Sequence, residues 1–259
     1  MESFIQVYPA FLLVFIRIAS FFIVLPLYNY RTIPMPFKIG VAGVVALLLV
    51  FSIDFPAITI DGFYALLIIK EALLGVLTGL VAMMLLYAVQ IAGGLIDFHM
   101  GFMLANVVDP QTGAQSPLTG SYLYIFALLY LLLIDGHHLL LDGAVYSFQF
   151  VPIDQLFLPL SSASVIEHVA MLMGFLFAFG ISMAFPVVGS LFLVDIALGI
   201  VSRTVPQMNV FVVGLPIKLI AGLIILFIYI GVFFMSMNYL FKEMILAMRT
   251  LLELFGETI

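Results

Sequence analysis

The chain has no cysteine, and charged residues make up only 8% of it. The first absence removes disulfides, thiolate metal sites and thiol nucleophiles together. The second sets the chain apart from soluble domains, in which about 25% of residues are charged. Its 8 lysines and arginines form no patch able to neutralise a phosphate backbone, which excludes nucleic acid as a partner. Also missing are a Gly-rich phosphate loop ending in Lys-Ser/Thr, an H-E-x-x-H helix and a G-x-S-x-G elbow. No enzyme activity and no cofactor is therefore expected. No low-complexity tract and no internal repeat is visible, which argues against an inverted-repeat transporter. No basic stretch precedes the first apolar segment, which begins behind Met1 and Glu2, so it is expected to be retained rather than cleaved.

What is present is hydrocarbon. Hydrophobic residues reach 65%, against about 45–50% in soluble domains, and the useful unit to count is the apolar segment. The first, from about Val7 to Leu27, carries one ionisable group, Arg17, and is long enough to cross a bilayer core of about 30 Å. A link with Arg31, Pro34, Pro36 and Lys38 leads to a marginal second stretch, about Ile39 to Ile53. A turn bounded by Asp54, Pro56, Asp61 and Gly62 precedes a third, Phe63 to Ile96, whose helical length of about 51 Å exceeds any bilayer core.

A loop from about Asn106 to Gly120 separates this run from a helix at Tyr122 to Ile134. An acidic, turn-rich region follows through Asp135, Asp142, Pro152, Asp154 and Pro159. The next long helix runs from about Val165 to Val194, with Pro186 placed to kink it. After a short polar segment, Asp195 to Met208, the last apolar run begins near Asn209 and passes Pro216. Its tail alternates Lys242, Glu243, Arg249 and Glu253 with Leu and Met, an amphipathic helix. The expectation is an all-α, integral-membrane-type protein of helical hairpins, with about six long helical segments and no strand. The basic residues of the first loop and of the tail both ask for the inner side, which six simple crossings cannot satisfy. Either a re-entrant hairpin or helices that do not cross in the usual way would resolve this.

Ionisable groups in apolar helices cost several kcal/mol unless paired or wet. Arg17, Lys70, Glu71 and Lys218 must each have a polar partner. Lys70 and Glu71 do not face one another on a helix, so their partners are expected on other helices or chains. With no regular row of such groups, assembly is favoured over conduction. The pair His137-His138, with Asp135 and Asp142 nearby, is the best metal or acid–base candidate. Adjacent helical histidines point about 100° apart and cannot share an ion unless the backbone is irregular, so a structural role is expected and no metal. Gly75-x-x-x-Gly79 and Gly93-Gly94 allow close backbone approach by the third helix, and the methionines are read as adaptable core filling. The loop VDPQTGAQSP cannot face lipid. It either connects two helices or lines a cavity as a movable stopper.

Four segments carry a resemblance: QIAGGLIDFHMG from Gln90, VDPQTGAQSP from Val108, DGHHLLL from Asp135, and LGIVSRTVPQMNVFVVGLPIK from Leu198 to Lys218. Their order and spacing over nearly the whole chain resemble the FliR family of flagellar biosynthesis proteins, with counterparts in type III secretion injectisomes. The resemblance implies a non-enzymatic component of a helical, hetero-oligomeric export gate in the bacterial cytoplasmic membrane. It implies FliP and FliQ as partners, with FlhB attached, and unfolded flagellar subunits as cargo. One export-gate domain would span 1–259, with N-terminal helices to 105, a pore-plug loop at 106–120 and C-terminal helices from 121. The plug residues would be Asn106, Val107, Val108, Asp109, Pro110, Gln111, Thr112, Gly113, Ala114, Gln115, Ser116 and Pro117. Inter-subunit or intramembrane polar contacts would fall to Arg17, Lys70, Glu71, Asp135, His137, His138, Asp195, Arg203, Asn209 and Lys218. A stand-alone secondary transporter or channel is the alternative, and a hydrolase using His137 and Asp135 stands third.

Overall fold

The computed structural model describes residues 2–28, 33–53, 55–56, 58, 60–102, 117–205, 207 and 209–256. Among these there is no strand, and the helices are α1 (Glu2–Val24), α2 (Met35–Ser52), α3 (Tyr64–Met100), α4 (Leu118–Leu133), α5 (Gly136–Phe150), α6 (Ala163–Thr204) and α7 (Val210–Gly256). Five of them, α1, α2, α3, α6 and α7, are long and apolar enough to cross a membrane; the pair α4 and α5, taken as one broken span, would make a sixth. At 42 and 47 residues, α6 and α7 would run about 63 and about 70 Å, twice a hydrocarbon core or more.

Several boundaries differ from those read in the sequence, each for a local reason. Helix α2 starts at Met35 rather than Ile39 because Pro36 falls in its first turn, where a missing N–H costs nothing. Helix α4 starts at Leu118, so Leu118, Thr119 and Gly120 belong to a helix and not to the loop. The turn-rich region contains a helix of 15 residues, α5, with exposed Asp142 on its outer side. Helix α6 runs through Pro186 and past Asp195 to Thr204, since the carboxylate of Asp195 is paired rather than left as a stop signal. The tail expected as an amphipathic helix is the continuation of α7: Met244, Ala247, Met248, Leu251, Leu252 and Phe255 are buried, whereas Lys242, Arg249 and Glu253 are exposed.

The chain forms two compact units. The first comprises the described residues of Met1–Leu85, Ile134–Leu172 and Phe241–Ile259. There α1 buries Leu13, Val14, Arg17, Ile18 and Phe21, the 3.6-residue spacing of one helix face. It packs on α3 where Gly75 and Gly79 leave room. A Cβ on Gly75 would overlap the Ser20 hydroxyl and the Arg17 carbonyl, and one on Gly79 would sit 3.1 Å from the Phe21 carbonyl. Tyr64 ties the same pair of helices by donating to the Pro9 carbonyl at 2.8 Å.

The second unit comprises Leu86–Leu133 and Met173–Leu240. Its core includes Val89, Ala92 and Ile96 of α3, Leu123 and Ala127 of α4, Val187 and Leu191 of α6, and Phe233 and Met237 of α7. A Cβ on Gly93 would fall 2.1 Å from the Gly120 Cα, so Gly93 does not tolerate a side chain, and one on Gly120 would sit tightly against Pro117 and the Gln90 carbonyl, at 3.0 and 3.2 Å. Within an apolar stretch of 18 residues in each helix, 56% of residues are buried in α3 against 17% in each of α2, α6 and α7. In those stretches the latter three present most of their hydrocarbon outward.

Candidate functional site

The first unit holds a cluster of charges that water does not reach. Arg17, Lys70 and Glu71 are all buried, at 1%, 4% and 0% exposure. Arg17 grips Glu71 with both arms of its guanidinium, Nε on one carboxylate oxygen and Nη2 on the other at 2.8 Å. Such a bidentate, charge-assisted fork is roughly twice as strong per bond as a neutral hydrogen bond and fixes the geometry as well. The remaining arm donates to Ser147 Oγ at 3.1 Å, Nη2 also reaches the Val151 carbonyl at 2.9 Å, and the Phe148 ring lies 4.1 Å from the guanidinium. Lys70 pairs with Glu71 as well and donates to the carbonyls of Pro152 and Ile153 at 3.0 and 3.3 Å.

The expectation that Lys70 and Glu71 would not meet is therefore overturned. The flexible four-carbon stem of lysine carries its ammonium around the helix to its neighbour's carboxylate. The other half of the expectation holds, since Arg17 and the segment 151–153 supply partners from elsewhere in the chain. Two cations face one anion, and the carbonyls at and just beyond the C-terminal end of α5 offset the excess positive charge. Every donor nitrogen of Arg17 and Lys70 has an acceptor, so the cluster fixes α1, α3 and the end of α5 as one piece.

In the second unit Asp97, on the last turns of α3, is buried and turns both carboxylate oxygens to the backbone N–H of Thr119, at 3.1 and 3.0 Å. It caps α4 from another helix, which is why α4 begins at Leu118 right after Pro117. Asp97 was not singled out in the sequence, although an acid inside an apolar run is the signal that finds it. Lys218 of α7 meets Asp195 of α6 in two contacts of 2.9 and 3.0 Å, partly exposed. Arg203 is exposed near the end of α6, and the Asn209 carbonyl accepts from Val212 and Val213 in the first turn of α7. The loop residues Asn106 to Ser116 lie outside the described residues.

His137 and His138 lie in the first turn of α5, directly after a break in the helical backbone at Asp135, and their rings approach one another although both residues are helical. Asp135 adopts a left-handed conformation at φ 56°, and its side chain makes no capping bond. The rings of His137 and His138 lie 4.2 Å apart. Asp135, His137 and His138 each place one ligand atom within 4.8 Å of the others.

The model of a family described as "Bacterial export proteins, family 1" matches residues 8–244. The chain belongs to this family. Flagellar biosynthetic protein FliR of Bacillus subtilis (strain 168) is 50% identical over 257 residues, 99% of each chain. FliR of Escherichia coli (strain K12) is 27% identical over 215 residues, 80% of this chain and 79% of that one. Surface presentation of antigens protein SpaR of Shigella flexneri is 28% identical over 218 residues, 83% of this chain and 82% of the relative. In this member of bacterial export family 1, the matched residues 8–244 take in the buried charges, the Asp97 cap, the Asp135 turn and the Asp195–Lys218 pair.

Proposed function

We propose that this chain is a structural, non-enzymatic subunit of the flagellar type III export gate. The carrying observation is the 50% identity to a FliR protein over 99% of both chains, well above the 28% to SpaR, which favours the flagellar over the injectisome setting. In this reading it assembles with FliP and FliQ, has FlhB attached, and sits in the bacterial cytoplasmic membrane. Helices α6 and α7 support a role inside a larger assembly. They outrun a bilayer and expose Phe177, Phe185, Phe227 and Ile228 along their lengths, which calls for unlike helices as well as lipid around them.

The mechanism is gating without bond chemistry. The segment Asn106 to Pro117 stops the channel at rest and yields to an unfolded flagellar subunit, whose entry supplies the free-energy difference between the two states. The rigid mounts at its ends support this. Gly101, at φ 90°, closes α3, and Asp97 caps the helix that follows Pro117. The test is purification of the tagged chain from its native host in mild detergent, with mass analysis of what travels with it. Recovery with several unlike small hydrophobic proteins is expected; a solitary, stable chain or homodimer would overturn the reading. Deleting Gln111 to Ser116 should leave that assembly intact and raise passive ion leak, and an unchanged leak would refute the plug.

A further inference from the structure

We propose that Asp135, His137 and His138 form a binding site for a borderline divalent transition-metal ion, with Zn²⁺, Co²⁺ and Ni²⁺ as the class of ligand. Two imidazoles and one carboxylate are the donor set such ions select, whereas Ca²⁺ and Mg²⁺ prefer oxygen alone. The donors lie within 4.8 Å of one another. Around a tetrahedral ion with bonds of about 2.1 Å they would stand about 3.4 Å apart, a gap that side-chain rotation closes. The fourth position stays open to water or to a group from a partner.

Three further features point at the same spot. Asp is among the best helix N-caps, yet Asp135 leaves its carboxylate out of the capping role at the position where that role exists. It also holds a left-handed backbone conformation, which costs an L-residue about 1–2 kcal/mol, and the His138 N–H closes the turn on the Asp135 carbonyl at 3.0 Å. Finally, His137 Nδ1 is buried without a hydrogen-bond partner, an unsatisfied group of the kind that an ion or a partner resolves. Nothing in the gating mechanism uses these side chains. A bound ion would bridge the turn at Asp135 to the first turn of α5 and hold that corner.

The test uses the full chain in detergent with a histidine-free affinity tag, after stripping with chelator. Titration with Co²⁺ should give visible d–d absorption saturating at one equivalent per chain, displaced by Zn²⁺. Asp135→Asn and His138→Asn should each weaken Co²⁺ binding about tenfold or more. Both residues are exposed, and Asn tolerates the left-handed turn, so both variants should fold. Absence of saturable binding, or equal binding by both variants, as from His99 or His168 elsewhere, would overturn the proposal.

Discussion

Arg17 on α1 and Glu71 on α3, 54 positions apart, form a fully buried two-armed ion pair in the first unit. The pair is joined by Lys70 and closed by the carbonyls of 151–153. Removing one member leaves an uncompensated buried charge, which costs about 3–5 kcal/mol, whereas replacing all members with apolar groups is often neutral. Glu71→Leu should therefore lower the thermal stability of the detergent-solubilised chain sharply, while Arg17→Met, Lys70→Met and Glu71→Leu together should restore most of it. If the triple variant is no more stable than the single, the charges have a role beyond mutual compensation.

Asp97 acts at a distance from its own helix. Asp97→Ala should cost about 1–2 kcal/mol, the usual effect of losing a helix cap. The loss should be local: amide hydrogen exchange at Thr119 and Ser121 should accelerate more than exchange in α1. Uniform acceleration across the chain would mean that the cap holds more than the start of α4.

Gly75 and Gly93 are close-approach points. Gly75→Ala would drive a methyl group into Ser20 Oγ and the Arg17 backbone, and Gly93→Ala into the backbone of Gly120. Each should destabilise by about 1–3 kcal/mol through overpacking. Gly174→Ala, which meets nothing within 4 Å, should be neutral or slightly stabilising through helix propensity. Thermal melts of the three variants side by side check the ordering.

The two faces of α7 separate stability from assembly. Phe255, buried at 1%, should cost about 3–5 kcal/mol on truncation to Ala. Phe227 is 82% exposed, so Phe227→Ser should change the isolated chain by about 0.5 kcal/mol or less. It should nevertheless reduce recovery of the partner complex in pull-downs; unchanged recovery would place the interface on another face.

The sequence by itself determined the solvent and the class. A 65% hydrophobic chain with 8% charge lies far outside the composition of soluble domains, and apolar runs of this length in lipid satisfy their backbone as helices. It also required partners for Arg17, Lys70, Glu71 and Lys218, because an unpaired ion in hydrocarbon is too costly to keep. Which partner each would find was decided only by tertiary structure. Nothing local in the chain links Arg17 to Glu71 or Asp97 to Thr119, since these bonds exist only once separate helices pack. The same holds for the helix ends. Asp195 and the acids of 135–142 look like interruptions in one dimension, but a packed neighbour or a single left-handed residue at Asp135 lets the helices run on or restart. Local propensity weighs tenths of a kcal/mol per residue, and burial with pairing outweighs it.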